Sequence, residues 1–165
     1  MAKPNNQNEE NPRKIIATNR KASMRYEIIE TMEAGIVLTG PEVKSLRAGG
    51  GSLQDGFARV VGEQLFLWNM HIAPYNMGSL HVEQEPLRTR KLLMHHREIM
   101  KLMGKTTVKG LTIVPLELYF NKRNKVKISL ALAKGKRGPD QREDLKRRTI
   151  DRELRKEFAG KSKVK

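Results

Sequence analysis

The sequence predicts a β-dominated domain with roughly six strands and two or three helices, arranged as a small, partly closed barrel of the OB type. Three observations point there. Short segments rich in β-branched and aromatic residues recur, bounded by Gly, Pro and Asn. Helical spacing is confined to a few stretches. Apolar patterning is concentrated between residues 15 and 133, flanked by polar and charged segments on both sides. An open α+β sandwich fits the same element count, and the pattern alone does not choose between the two.

The elements follow in chain order. Residues 1–14 are dominated by Asn, Gln, Glu and Pro, show no apolar periodicity and read as a disordered leader. Tyr26 to Leu38 is strand-like, with Gly35 expected as a bulge or bend. Thr39-Gly40-Pro41-Glu42 reads as a helix start, with Val43 and Leu46 facing the core and Ala48-Gly49-Gly50-Gly51 ending the helix. Phe57–Val61 and Leu65–Ile72 form a hairpin around Gly62-Glu63, ended by Pro74. Arg90 to Met103 reads as the clearest helix, capped by Thr89 and closed by Gly104. Leu111–Phe120 and Lys125–Ala133 are two further strands, joined by Asn121–Asn124, and Pro115 marks the first as an edge or bulged strand.

Charge narrows the function. The 165 residues include 33 Lys and Arg against 18 Asp and Glu, a formal net charge of +15. Residues 134–165 alone hold thirteen of the basic residues and six of the acidic ones. A surplus of this size points to a polyanionic partner, either nucleic acid or an anionic membrane. The bland alternative is a generally basic surface. The chain has no cysteine, which excludes disulfides, a thiol nucleophile and Cys-based zinc sites. No apolar run approaches the ~18 residues of a membrane span, and the polar N-terminus is no secretory signal. A cytoplasmic, nucleic-acid-binding protein is expected, with no membrane partner.

The last segment, residues 134–165, has a thin apolar stripe of Leu145, Ile150, Leu154 and Phe158. Glu143 with Arg147, Asp144 with Arg148 and Asp151 with Arg155 are favourable pairs one turn apart, each contributing about 0.2–0.5 kcal/mol. An isolated helix of this kind is marginal in water. The segment is expected to be disordered when free and helical against an anionic partner.

No catalytic constellation is present, so no enzyme activity, metal or cofactor is expected. His95 and His96 are adjacent and point to different sides of a helix, His71 sits at a strand end and His81 in a loop. Asp55 and Glu63 flank a strand without the spacing of a carboxylate pair. Gly49-Gly50-Gly51 follows a helix instead of opening one, which makes a poor phosphate cradle. Basic clusters are better candidates. Asn19-Arg20-Lys21 with Arg25-Tyr26 combines amide, cations and a stackable ring. Arg88-Thr89-Arg90-Lys91 falls at the expected start of the long helix, where backbone N–H groups favour an anion. Lys44 and Arg47 lie one turn apart on the short helix.

Ile16-Ala17-Thr18-Asn19-Arg20-Lys21-Ala22 and the run from Glu33 to Gly49, EAGIVLTGPEVKSLRAG, resemble the small protein B family, the SsrA-binding proteins. So do Arg88-Thr89-Arg90-Lys91-Leu92-Leu93 and Lys134-Gly135-Lys136-Arg137. The blocks keep the family's order and spacing from about Ile15 to Arg142. The resemblance implies a six-stranded antiparallel OB-like barrel over residues 15–133 with peripheral helices. It implies binding to the tRNA-like domain of transfer-messenger RNA and delivery of that RNA, with elongation factor Tu and GTP, to stalled ribosomes for trans-translation. A monomer is expected. By matching position, Asn19, Glu33, Leu93 and Lys127 fall where the family contacts the RNA, with Arg20, Lys21, Tyr26, Lys44, Arg47, Arg88, Arg90 and Lys91 as chemically consistent neighbours. Glu33 would accept hydrogen bonds from base edges or orient an Arg, or else be a plain strand-surface residue. Leu93 would pack on a base or ribose, or else be plain core.

The resemblance further implies a tail that enters the vacant message channel of the ribosome. Lys134, Gly135, Lys136, Arg137, Asp140, Arg142, Lys146, Arg147 and Arg148 would contact the ribosome there. The family pattern of Asp-Lys-Arg is here Asp140-Gln141-Arg142, and Gly138-Pro139 replaces a position often filled by His or Tyr. A side chain able to stack near the decoding centre is thereby missing. Two alternatives compete: a ribosomal or ribosome-assembly protein, and an RNA-processing enzyme.

Overall fold

The computed structural model describes residues 13–75, 84–108, 110–136 and Thr149. Strand β1 (Lys14–Thr18) leads into one helical turn, α1 (Ala22–Arg25), and the long strand β2 (Tyr26–Ile36). Helix α2 (Gly40–Arg47) follows, then β3 (Gly51–Ser52), β4 (Phe57–Val61), β5 (Gln64–Trp68), β6 (His71–Ile72) and β7 (Arg90–Leu93). Helix α3 (His96–Thr106) precedes β8 (Leu111–Phe120) and β9 (Val126–Gly135).

Six strands close into a ring. The order β8-β4-β5-β7-β2-β9 returns to β8, and every pairing is antiparallel. A closed ring leaves no open sheet edge, which separates this barrel from the sandwich alternative. Strand β1 lies beside β8 outside the ring, and β3 pairs β6 as a separate ribbon. Strands β4 and β1 share one edge of β8: Ala58 faces Ile113, and β1 faces Glu117 to Phe120. Pro115 lies between those two pairings, where its missing N–H costs no ladder bond, and β8 shifts register between Pro115 and Glu117. The Pro therefore marks a bulge in a strand paired on both sides.

Period-two alternation fills the barrel. Leu65, Leu67, Leu92, Ile113, Leu118, Ile128 and Leu130 point inward and are almost fully buried. Each such side chain contributes about 1.5–3 kcal/mol relative to exposure. The helices close opposite ends. Leu46 of α2 enters the core beside the end of β8, and Ile99 and Leu102 of α3 enter it from the other side. Lys101 and Lys105 of α3 both reach Glu30 of β2, whose carboxyl is held below its usual value chiefly by the hydrogen bond from Lys105. Outside the barrel, Ala22 of α1 packs on Val114, Ala131 and Ala133, with Tyr26 and Leu116 around them.

The Gly62-Glu63 turn has positive φ at both residues, 53° and 60°, as a two-residue hairpin with right-twisted strands requires. Helix α2 starts at Thr39, whose N–H donates to the Glu42 carboxylate at 2.8 Å.

Five expectations need correction. Residues 90–103 are not one helix. Arg90–Leu93 is strand β7, and α3 begins at His96 and runs past Gly104 to Thr106. Leu65–Ile72 is not one strand, because Asn69 at φ 56° breaks it after Trp68. Strand β2 ends at Ile36, two residues before Leu38. Gly35 is no bulge: the register shift in β2 lies between Ile28 and Glu30, and Gly35 pairs with both Leu93 and Lys127. A Cβ on Gly35 would stand 3.3 Å from that of Leu93, so glycine there permits close approach of β7. Finally, β9 continues through Gly135, so Lys134 and Gly135 belong to the barrel.

Candidate nucleic-acid interface

The turn after β1 is built around Asn19. Its backbone N–H donates to the Leu116 carbonyl at 2.7 Å. Its side-chain Nδ2 donates to the carbonyls of Leu53 at 3.2 Å and Pro115 at 3.1 Å, and Oδ1 accepts from the Ala22 N–H at 3.2 Å. Asn19 thus satisfies carbonyls at the gap in the β8 edge and fixes the start of α1. Arg20 and Lys21, the next two residues, are exposed. They line an open cleft of about 530 Å³ with β1, β3 and the Leu53-Gln54 stretch after it. A second cleft, of about 240 Å³, adjoins it and is lined by Lys21, Arg25, Tyr26, Gln54, Asp55 and Phe57 among others. The cluster read from the sequence is therefore one surface, with two cationic clefts beside a half-buried tyrosine.

A second set lies on the outer face of β2, β9 and β8. Glu33 accepts a hydrogen bond from the Tyr119 hydroxyl, and Lys127 Nζ stands 3.5 Å from its other carboxylate oxygen. The Arg13 guanidinium sits 4.9 Å above the Tyr119 ring. Burial, reinforced by the Glu33 carboxylate, pushes the Tyr119 hydroxyl up to about 12, so it stays a donor at neutral pH. Glu33 is held by Tyr119 and Lys127, and its side chain remains 49% exposed. Next to it, Leu93 is 51% exposed and is not core. With Gly35, Val43, Asn124 and Lys127 it lines a cleft of about 400 Å³. The chain thus joins Glu33, Leu93 and Lys127, which are far apart in sequence, on three neighbouring strands.

Helix α2 presents two more cations. Lys44 Nζ lies 5.8 Å from the Tyr75 ring and the Arg47 guanidinium 6.0 Å from Phe120. Both side chains are exposed.

The arginines before and in β7 behave differently from expectation. They do not sit at a helix N-terminus, so the anion-site argument for them fails. Arg90 is fully buried. Its Nε donates to Glu42 at 2.9 Å, and its terminal nitrogens donate to the carbonyls of Met70 at 2.6 Å, Arg88 at 3.1 Å and Pro86 at 3.1 Å. Arg88 grips the same carboxylate as a fork, at 2.8 and 2.5 Å. Burial alone would push the Glu42 carboxyl up. Hydrogen bonds from Arg88, the Thr39 N–H and Arg90 outweigh it and hold the group below its usual value. Arg90 is a structural clamp between α2 and β7; Lys91, on the opposite face of the strand, is exposed.

Of the expected tail residues, Lys134 and Gly135 pair with Glu27 and Tyr26 in the barrel. Lys136 follows, its N–H donating to the Arg25 carbonyl at 2.9 Å and its Nζ to the Ser23 carbonyl at 3.2 Å. Arg137, Asp140, Arg142, Lys146, Arg147 and Arg148 lie outside the described residues. So do His81 and part of the leader. Among the described residues no group of three His, Cys, Asp or Glu side chains is placed to hold a metal, and no helix is long and apolar enough to cross a membrane.

Tyr119 and Arg13 were missed in the sequence. Alternation in Leu116-Glu117-Leu118-Tyr119-Phe120 puts Tyr119 outward against Leu118 and Phe120, but nothing local announces Glu33 as its partner.

The profile of the SmpB protein family matches residues 16–160. This chain belongs to the SmpB family. An SsrA-binding protein of Carboxydothermus hydrogenoformans is 57% identical over 143 residues, covering 87% of this chain and 95% of that protein. One of Desulforamulus reducens is 50% identical over 151 residues, covering 92% and 93%. A solved structure described as "tmRNA-SmpB: a journey to the center of the bacterial ribosome" is 49% identical, covers 78% of this chain and 92% of its own, and superposes with a TM-score of 0.63. SmpB-family membership accounts for the closed barrel as well as for the sequence blocks around Asn19 and Glu33.

Proposed function

We propose that this SmpB-family chain binds the tRNA-like domain of SsrA RNA, the transfer-messenger RNA, and brings it to stalled ribosomes for trans-translation. The observation that carries the reading is the pairing of family membership with two exposed surfaces of RNA-binding chemistry on one rigid barrel. The cations of Arg20, Lys21, Lys44, Arg47 and Lys91 are exposed, and Lys127 is half-buried beside Glu33. Exposed Leu93 and half-buried Tyr26 offer faces for a base or ribose. Folded RNA is gripped by shape, stacking and phosphate contacts, with no bond made or broken, so the chain acts as a binding protein and needs no cofactor. It works as a monomer in the cytoplasm, and elongation factor Tu with GTP joins through the RNA complex. Residues 137–165 probe the vacant message channel: a cationic chain enters only where message is absent, and phosphate contacts offset its ordering entropy.

The first test is the salt dependence of RNA binding. Replacing Arg20 and Lys21 together by Ala is expected to flatten the plot of log K against log salt by roughly 0.9 per lost phosphate contact, the duplex value. An unchanged slope would mean that both side chains face only solvent.

A further inference from the structure

The hairpin of β4 and β5 and its neighbour β7 carry a pattern of which the surfaces above use only Lys91 and the edge at Phe57. Their inward residues, Ala58, Leu65, Leu67 and Leu92, are core. Their outward residues include Phe57 and Arg59 on β4, Phe66 and Trp68 on β5, and Lys91 on β7. Phe57 and Trp68 face each other across the strands and stack, with centroids 5.8 Å apart and planes 10° apart. Phe66 meets Trp68 edge-on at 5.9 Å. In the next row Arg59 faces Phe66, and Phe66 faces Lys91, so an aromatic ring lies between two cations across three strands. Arg59 and Lys91 are exposed and the three rings are half-buried. None of β4, β5 and β7 contains an Asp or Glu.

We propose that this outer face is an additional RNA-contacting surface, on which an unpaired base of the bound transfer-messenger RNA stacks against Phe66 and meets Trp68 at its edge, with its flanking phosphates on Arg59 and Lys91. Rings that present a π-face between cations fit a nucleotide with no sequence requirement. The three strands themselves carry no carboxylate, and Asp55 and Glu63 lie beyond the two ends of β4. The face is also continuous with the clefts already described. Phe57 lines the cleft that holds Lys21, Arg25 and Tyr26, and Lys91 lies two residues from Leu93 on the same side of β7. The inference rests on the RNA-binding reading and adds to it a stacking platform.

Trp68 is the chain's one tryptophan, so its fluorescence reports this face alone. The full-length protein is titrated with the tRNA-like domain while gel shift is followed in parallel. The expected result is quenching of Trp68 that tracks the bound fraction. The paired substitution Arg59→Ala with Lys91→Ala, both at exposed positions, should weaken binding and flatten its salt slope. Phe66→Leu should raise Kd by about 5- to 150-fold, the loss of one stacked base. Full binding with unchanged Trp68 emission and an unchanged Kd in the paired variant would overturn the platform while leaving the RNA-binding reading intact. No binding at all would overturn both. Quenching only when ribosomal subunits or proteins are added would overturn the assignment of the face to this RNA.

Discussion

Replacing Glu42 with Ala is expected to destabilise the fold by about 3–5 kcal/mol, the range for removing one partner of a buried ion pair. The Glu42 side chain is 7% exposed and Arg90 beside it is at 0%. Arg88, at 29%, can turn partly to water when the carboxylate is lost, whereas Arg90 cannot. The deletion therefore strands a guanidinium inside the barrel wall and unties the Thr39 N–H at the start of α2. Against the 5–15 kcal/mol typical of a whole domain, the loss is large. A shift in the denaturant midpoint at constant m would measure it. Because hydrogen bonds hold the folded Glu42 carboxyl below its usual value, its contribution is fully present above the unfolded value and is lost as pH falls through the folded one. Wild type should weaken on acidification below about pH 4.5, and Glu42→Gln should show less of that dependence. A cost under about 1 kcal/mol for Glu42→Ala, the size of an exposed pair, would contradict the clamp.

Deleting residues 137–165 is expected to separate binding from tagging. The barrel is complete at Lys136, with β9 paired through Gly135, so the truncated chain keeps its core and both candidate surfaces. The removed segment carries eleven Lys and Arg against six acids, but charges beyond about 8 Å from the bound RNA are largely screened at physiological ionic strength. Affinity for the tRNA-like domain should change little, while peptide tagging on stalled ribosomes should be lost. A cut at 134 would be a poorer experiment, because it removes the partners of Tyr26 and Glu27 in β2. Loss of RNA affinity on deletion from 137 would overturn the division of labour between barrel and tail.

Much of the fold was legible locally. The Gly62-Glu63 hairpin, α2 with its Thr39 and Glu42 start, and the pair β8–β9 all follow from alternation and turn chemistry. Residues 90–103 were not legible, for a physical reason. Leu92, Leu93, Ile99, Met100 and Met103 satisfy helical spacing as a set, and no Gly or Pro separates β7 from α3. The one local sign of a boundary is Glu98 three residues after His95, whose N–H donates to its carboxylate at 3.2 Å. The fate of Arg90 was hidden for another reason. Its partner Glu42 is 48 residues away, and only the ring closure of β7 between β5 and β2 brings the two elements together. The exposed cations Arg20 and Lys21 are contiguous and legible in sequence, whereas the hydrogen bonds that tie part-buried Asn19 to Leu53 and Pro115 depend on the fold. Glu33, Leu93 and Lys127 are grouped in sequence only by the family resemblance, since their common surface exists only once three strands are side by side.

The most direct test of RNA recognition is a gel-shift titration of the full-length protein with the tRNA-like domain of transfer-messenger RNA against ordinary tRNA, at physiological salt. Tight binding that favours the tRNA-like domain is the predicted result. Weak binding, equal for the two RNAs, would mean that net charge alone is at work and would contradict the account.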